Sequence, residues 1–177
     1  MIGSLADPIV GGLYISEDAV SATGLVTPVF TLLCFVSYII GIGAANKYSM
    51  YAGAFEKERA HKVAGTSVTF SVIAGITLAL LMYVGEDAFF RYYVTNDTIG
   101  AMAREYYEPF VFMALIYPLF WNVYYLVIAD GNANLVLVSD TVTALVNAAV
   151  SLISVQSVGV KGLAYGTIAS VAAGLLV

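Results

Sequence analysis

Charge is scarce in this chain: only 11% of its 177 residues are Asp, Glu, Lys or Arg, where soluble domains carry about 25%. So thin a polar shell cannot cover a water-soluble globule. With 60% hydrophobic residues and a mean hydropathy of +0.89, the chain reads as an integral membrane protein. A single cysteine, Cys34, excludes an internal disulfide and any paired-thiol metal or redox centre, which leaves packing as its role. The one histidine, His61, lies in a solvated basic run, so no imidazole is available for acid-base work within the membrane. There is no phosphate-cradling glycine loop, no Ser/His/Asp or Cys/His set and no metal-ligand cluster, so an enzyme is not expected. The seven basic residues against twelve acidic ones also lack the excess that nucleic-acid binding requires.

Long uncharged runs are what the chain does have. They favour helices over an outer-membrane barrel, whose segments would alternate over about ten residues. Spans are expected near 1–14, 24–45, 63–85, 109–129, 134–156 and 162–177 of a single membrane domain, the first and last shorter than a full crossing. The segment 46–62 holds Lys47, Lys57, Arg59 and Lys62, four of the seven basic residues. The positive-inside rule puts it in the cytoplasm of a cell with these spans in its plasma (inner) membrane. Ile15 to Thr23 reads as a short acidic connection, and Glu86 to Glu108, with aromatics among charges, as an interfacial segment. Asp130-Gly131-Asn132 reads as a tight turn that makes the flanking helices antiparallel neighbours.

The span 134–156 carries polar groups that lipid cannot solvate. Asp140, Asn147, Ser151 and Ser154 recur at offsets of seven, four and three and therefore share one helix face. A carboxylate at membrane depth costs about 2.5–3.5 kcal/mol on insertion scales, so Asp140 marks a functional-site candidate. Asn122, inside the fourth span, is expected to line the same polar cavity. Asp7 precedes Pro8, which cannot donate to the Ser4 carbonyl. A free carbonyl beside a carboxylate suits a cation, although Asp-Pro also marks turns. In the last span Gly162, Gly166, Ser170 and Gly174 recur every fourth residue, a groove that permits close helix contact.

Several short runs, in order, carry a resemblance: ADPIVGG at 6–12, DAVSATGLVTP ending at Pro28, ADGNANL at 129–135, Asn147, and GVKGLAYGT at 159–167. Together the chain resembles one lobe, the amino-terminal one, of the two-lobed multidrug and toxic compound extrusion (MATE) family. The resemblance implies an all-α, polytopic bundle of six transmembrane helices. It implies a secondary antiporter that exports organic, often cationic, compounds in exchange for Na⁺ or H⁺, with no other cofactor. It further implies that Asp7, Asn147 and Thr167 belong to the coupling site; with Ser151 on the Asn147 face they are expected to bind the coupling cation or proton, Asp140 extending the polar cavity and Na⁺ at Asp7 and Asn147 the one metal to consider. Ser151 stands where the family commonly has an aspartate, and Ala129 where it commonly has an arginine. The expected partners are the bilayer, a small organic substrate, and a carboxy-terminal lobe or a partner chain. The alternative is a non-transporting scaffold whose Asn and Ser groups only bond helix to helix, at about 0.6 kcal/mol each.

Overall fold

The computed structural model describes the backbone of residues 3–94 and 96–177, and side chains from residue 9 onward apart from residue 95. Six helices follow one another: α1 (Gly3–Tyr14), α2 (Glu17–Gly53), α3 (Lys57–Tyr93), α4 (Asp97–Ala129), α5 (Ala133–Val158) and α6 (Val160–Leu176). Among them α2 to α5 are long and apolar enough to cross a membrane, and α6 is a shorter apolar helix of 17 residues.

The helices outrun the apolar spans that locate them. α2 and α3 each have 37 residues, about 55 Å at 1.5 Å per residue, against a hydrocarbon core of about 30 Å. Most of the acidic connection at 15–23 is therefore the first turns of α2. Ser16 caps it by accepting from the Ala19 N–H at 3.3 Å, and Glu17 and Asp18 sit where the helix dipole favours negative charge. Likewise the basic segment 46–62 is almost all helix and turns only at 54–56, its continuation supported by the pairs Arg59–Glu56 and Lys62–Glu58 at 2.8 Å each. The aromatic segment 86–108 is the end of α3 and the start of α4, where Asn96 accepts from the N–H groups of Thr98 (2.9 Å) and Ile99 (3.3 Å). At the far end α5 runs on to Val158, and Gly159 alone, at φ +63°, turns the chain into α6. The Asp130 turn forms as expected, with Gly131 at φ +87° and the Asn132 N–H closing onto the Val127 carbonyl.

α4 is the hub, packed against α2, α3, α5 and α6, while α5 and α6 form a closely packed pair against which α1 also rests. Between apolar helices in lipid there is little hydrophobic drive, so close backbone approach and dispersion set the packing. Glycines mark the closest contacts. A Cβ on Gly41 would stand 2.8 Å from the Trp121 carbonyl, and one on Gly75 would stand 2.6 Å from that of Leu115 and 3.0 Å from that of Ala114. Pro118 is the residue whose missing N–H leaves the Ala114 carbonyl without its helical donor. The small-residue stripe of α6 behaves as its spacing predicts: Gly162 lies on the Ser154–Val155 backbone, Gly166 on Ser151 and Asn147, and Gly174 on Ser139, Thr143 and Phe120.

The connections define two ends. One carries Lys47, Lys57, Arg59, His61 and Lys62 against Glu56, Glu58 and Asp130, with the α2–α3 and α4–α5 turns. The other carries Glu17, Asp18, Glu86, Asp87, Asp97, Glu105 and Glu108 with only Arg91, Arg104 and Lys161. Two of those three bases are already paired, Arg104 with Glu86 and Asp87 and Lys161 with Glu108, at 2.9–3.1 Å.

Candidate functional site

A cavity of about 690 Å³ runs between α2, α4, α5 and α6, a volume within the range of small-molecule sites. α2 contributes Thr23, Thr27, Thr31, Cys34 and Tyr38, spaced four, four, three and four, so one face of one helix forms that wall. The threonine hydroxyls donate to carbonyls one turn back, Thr27 to Thr23 at 3.1 Å and Thr31 to Thr27 at 2.9 Å, so they can sit in an apolar helix without an unsatisfied donor. Cys34 Sγ lies 3.1 Å from the Tyr117 hydroxyl. Its packing role thus includes the cavity wall.

Of the residues singled out from sequence, Asn147 and Thr167 are brought together. Asn147 is buried on α5 and its Nδ2 donates to Thr167 Oγ1 of α6 at 3.2 Å, both side chains lining the cavity. Asp140 also lines it and accepts from the Tyr124 hydroxyl at 3.1 Å. Seven residues of helix separate it from Asn147, about 10 Å along the axis, so the two cannot hold one ion between them. Ser151 shares the face of Asn147, but the groove of α6 closes over it. It is fully buried against Gly166, its hydroxyl has no hydrogen-bond partner, and it is not among the residues that line the cavity.

Asn122 departs from the expectation that it lines the cavity. It is fully buried and turned to α3, where its Nδ2 donates to Ser67 Oγ at 3.1 Å. Its neighbour Trp121 takes the cavity side instead, because adjacent residues on a helix point about 100° apart. The side chain of Asp7 lies outside the described residues. Its backbone belongs to α1, which packs on α2, α5 and α6. Gly11 of α1 faces Leu163 of α6, a Cβ there standing 3.2 Å from Leu163 Cδ1. The two helices run in opposite directions, so one turn back from Gly11 and one turn on from Leu163 bring residue 7 level with Thr167.

The aromatic lining was not read from sequence. Tyr38, Tyr117, Phe120 and Trp121 line the cavity toward the end that carries the basic turns, and the spacing of the α2 stripe is a signal for only one of the four, Tyr38. Within this group the rings of Tyr38 and Trp121 meet edge to face at 4.7 Å, and behind it the ring of Tyr124 lies 5.0 Å from that of Trp121. Among the described residues no group of three His, Cys, Asp or Glu side chains is placed to hold a metal ion.

Apolar helices packed around a largely apolar cavity with a few polar groups define a polytopic membrane bundle rather than a simple anchor. Comparison with known proteins gives its family: the MatE family model matches residues 1–153. The chain belongs to the multidrug and toxic compound extrusion family. It is 26% identical, over 99% of its length, to a probable multidrug resistance protein, YoeA, of Bacillus subtilis (strain 168), of which it covers 39%. It is equally similar in sequence to solved structures of a multidrug resistance MATE family transporter of the MOP superfamily. The inward-facing conformation of that transporter matches with a TM-score of 0.93 and the outward-facing one with 0.92, each at 26% identity over 99% of this chain and 40% or 39% of the other. The chain thus spans about two fifths of the length of the relatives it matches.

Proposed function

We propose that this chain acts as the amino-terminal lobe of a secondary antiporter that exports organic, often cationic, compounds in exchange for Na⁺ or H⁺. The observation that carries the reading is the Asn147–Thr167 pair on the cavity wall, in the α5–α6 pair on which α1 packs. Asp7 supplies the charge, Asn147 and Thr167 supply neutral oxygens, and the buried hydroxyl of Ser151 stands one turn away. Sodium wants several oxygens converging on it, and a proton wants one carboxylate in a poorly hydrated place. The same three residues serve either ion. Ion and proton compete for the carboxylate, and the one that binds one lobe arrangement more tightly than the other biases the two-state equilibrium.

The near-equal match to inward- and outward-facing relatives supports a lobe that moves largely as one body, with access alternating between it and a facing lobe. A purely structural scaffold would leave unused a largely apolar cavity of about 690 Å³ that also presents Asp140, Asn147 and Thr167. The chemistry is transport and not catalysis. The turn at 54–56, with its flanking bases, faces the cytoplasm and the bundle lies in the plasma (inner) membrane.

The test joins this lobe to a working second lobe and measures efflux of a fluorescent organic cation from vesicles under an imposed Na⁺ or H⁺ gradient. Asp7→Asn, which keeps the volume and removes the charge, is expected to abolish gradient-driven efflux while expression stays normal. Wild-type rates from Asp7→Asn would overturn the assignment.

A further inference from the structure

The cavity has a second polar pole that the coupling site does not use. Asp140 sits at the end where the aromatic residues gather, and the Tyr124 hydroxyl is its one hydrogen-bond partner among the described residues. No lysine or arginine is among the residues that line the cavity. Asp140 is exposed on the cavity wall and so open to a ligand, and a carboxylate at membrane depth is costly unless water or a cation reaches it. The surroundings say which kind of cation. A small hard ion needs six or more oxygens at about 2.3–2.6 Å by analogy with calcium, and at this end of the cavity the lining offers few oxygens, Thr143 Oγ1 and tyrosine hydroxyls, among aromatic rings. Tyr38, Tyr117, Phe120 and Trp121 line it, with Tyr38 and Trp121 both half-buried and so partly open to the cavity. Aromatic faces beside one negative charge recognise a large, weakly hydrated cation.

We propose that Asp140 is the residue by which this cavity reads substrate charge, and that with Tyr38 and Trp121 it forms a subsite for the cationic centre of an aryl-bearing onium compound. The subsite deepens the transport reading and rests on it for its purpose. It lies about 10 Å along α5 from Asn147, so substrate and coupling ion occupy separate poles of one cavity. Tyr124 is a positioning residue: it holds one carboxylate oxygen from the side and leaves the other for the ligand.

Trp121 is the only tryptophan of the chain, so its emission reports occupancy of the subsite directly, without any transport. The chain is reconstituted in phosphatidylcholine nanodiscs and titrated with tetraphenylphosphonium and with neutral triphenylphosphine oxide. The expected result is a saturable change in Trp121 emission with the cation and binding of the oxide at least about tenfold weaker. Asp140→Asn should bring the two affinities together, and Asp140→Glu should keep the preference for the cation. Equal affinities in the wild type overturn the proposal even if no variant folds, as does a preference that survives in folded Asp140→Asn or a response that never saturates. Loss of coupled efflux in Asp7→Asn is a separate measurement, so either reading can fail without the other.

Discussion

Asn147 Nδ2 and Thr167 Oγ1 meet at 3.2 Å across the α5–α6 interface, on the wall of the cavity. Thr167→Val removes the acceptor and leaves the shape. In the joined transporter it is expected to lower stability by only about 0.6 kcal/mol yet weaken the ion dependence of efflux, while Thr167→Ser, which restores the hydroxyl, retains it. Measuring efflux against Na⁺ concentration and pH separates the two outcomes. Unchanged ion dependence in the valine variant would remove Thr167 from the coupling site.

Gly166 has Ser151 Oγ where its own Cβ would be, with the Asn147 carbonyl 3.0 Å from the same point. Gly166→Ala must push α5 from α6 and is expected to cost about 1–3 kcal/mol, as overpacking does. Ser151→Ala on its own deletes a buried hydroxyl with no partner and should be close to neutral. In the double variant part of the loss should return. Thermal unfolding in lipid of the two single variants and the double gives the coupling, and strictly additive changes would show that the two residues do not compete for one space.

Phe55 ends α2 in the left-handed region at φ 60°, with 89% of its surface exposed. Its N–H bonds the Ala52 carbonyl and the Glu56 N–H that of Tyr51, a helix end usually closed by glycine. Phe55→Gly should therefore stabilise the chain by about 0.5–1 kcal/mol in detergent. A denaturation midpoint that falls would mean that the exposed ring contributes more than its backbone costs.

Tyr48 donates to Asp130 Oδ1 at 2.5 Å and so ties α2 to the α4–α5 turn. The hydrogen bond to the carboxylate, with burial as a smaller cause, lifts the phenol above its ordinary value of 10.0. A raised folded-state value means that the bond contributes in full below that pH and is lost as pH rises through the folded value. Stability between neutrality and mildly alkaline pH should not change through this pair. Carbon-13 tyrosine NMR should show Tyr48 titrating late in the wild type and earlier in Asp130→Asn. An unmoved Tyr48 titration would break the link.

Ser49 and Thr98 are exposed at opposite ends of the bundle. Cysteines placed singly at each, in a Cys34→Ala background, are expected to react with an impermeant maleimide from opposite faces of the membrane, Ser49 from the cytoplasmic face. Labelling of both from one face contradicts the arrangement of α2, α3 and α4 across the bilayer.

What the sequence determined by itself is what depends on one helix at a time. Scarce charge and long apolar runs placed the helices, the Asp130-Gly131-Asn132 turn joined α4 to α5, and a fixed period put Asp140, Asn147 and Ser151 on one face and the glycines of α6 in one groove. What only the tertiary structure decided is which neighbour each face meets. Ser151 and Asn147 share a side of α5, yet Gly166 lies on the first and the cavity opens at the second. Asn122 and Trp121 are adjacent in the chain, yet one is sealed against Ser67 and the other lines the cavity. Helical periodicity specifies directions around an axis. Crossing angles and offsets between helices, set by the bulk of side chains from distant parts of the chain, specify what lies in those directions.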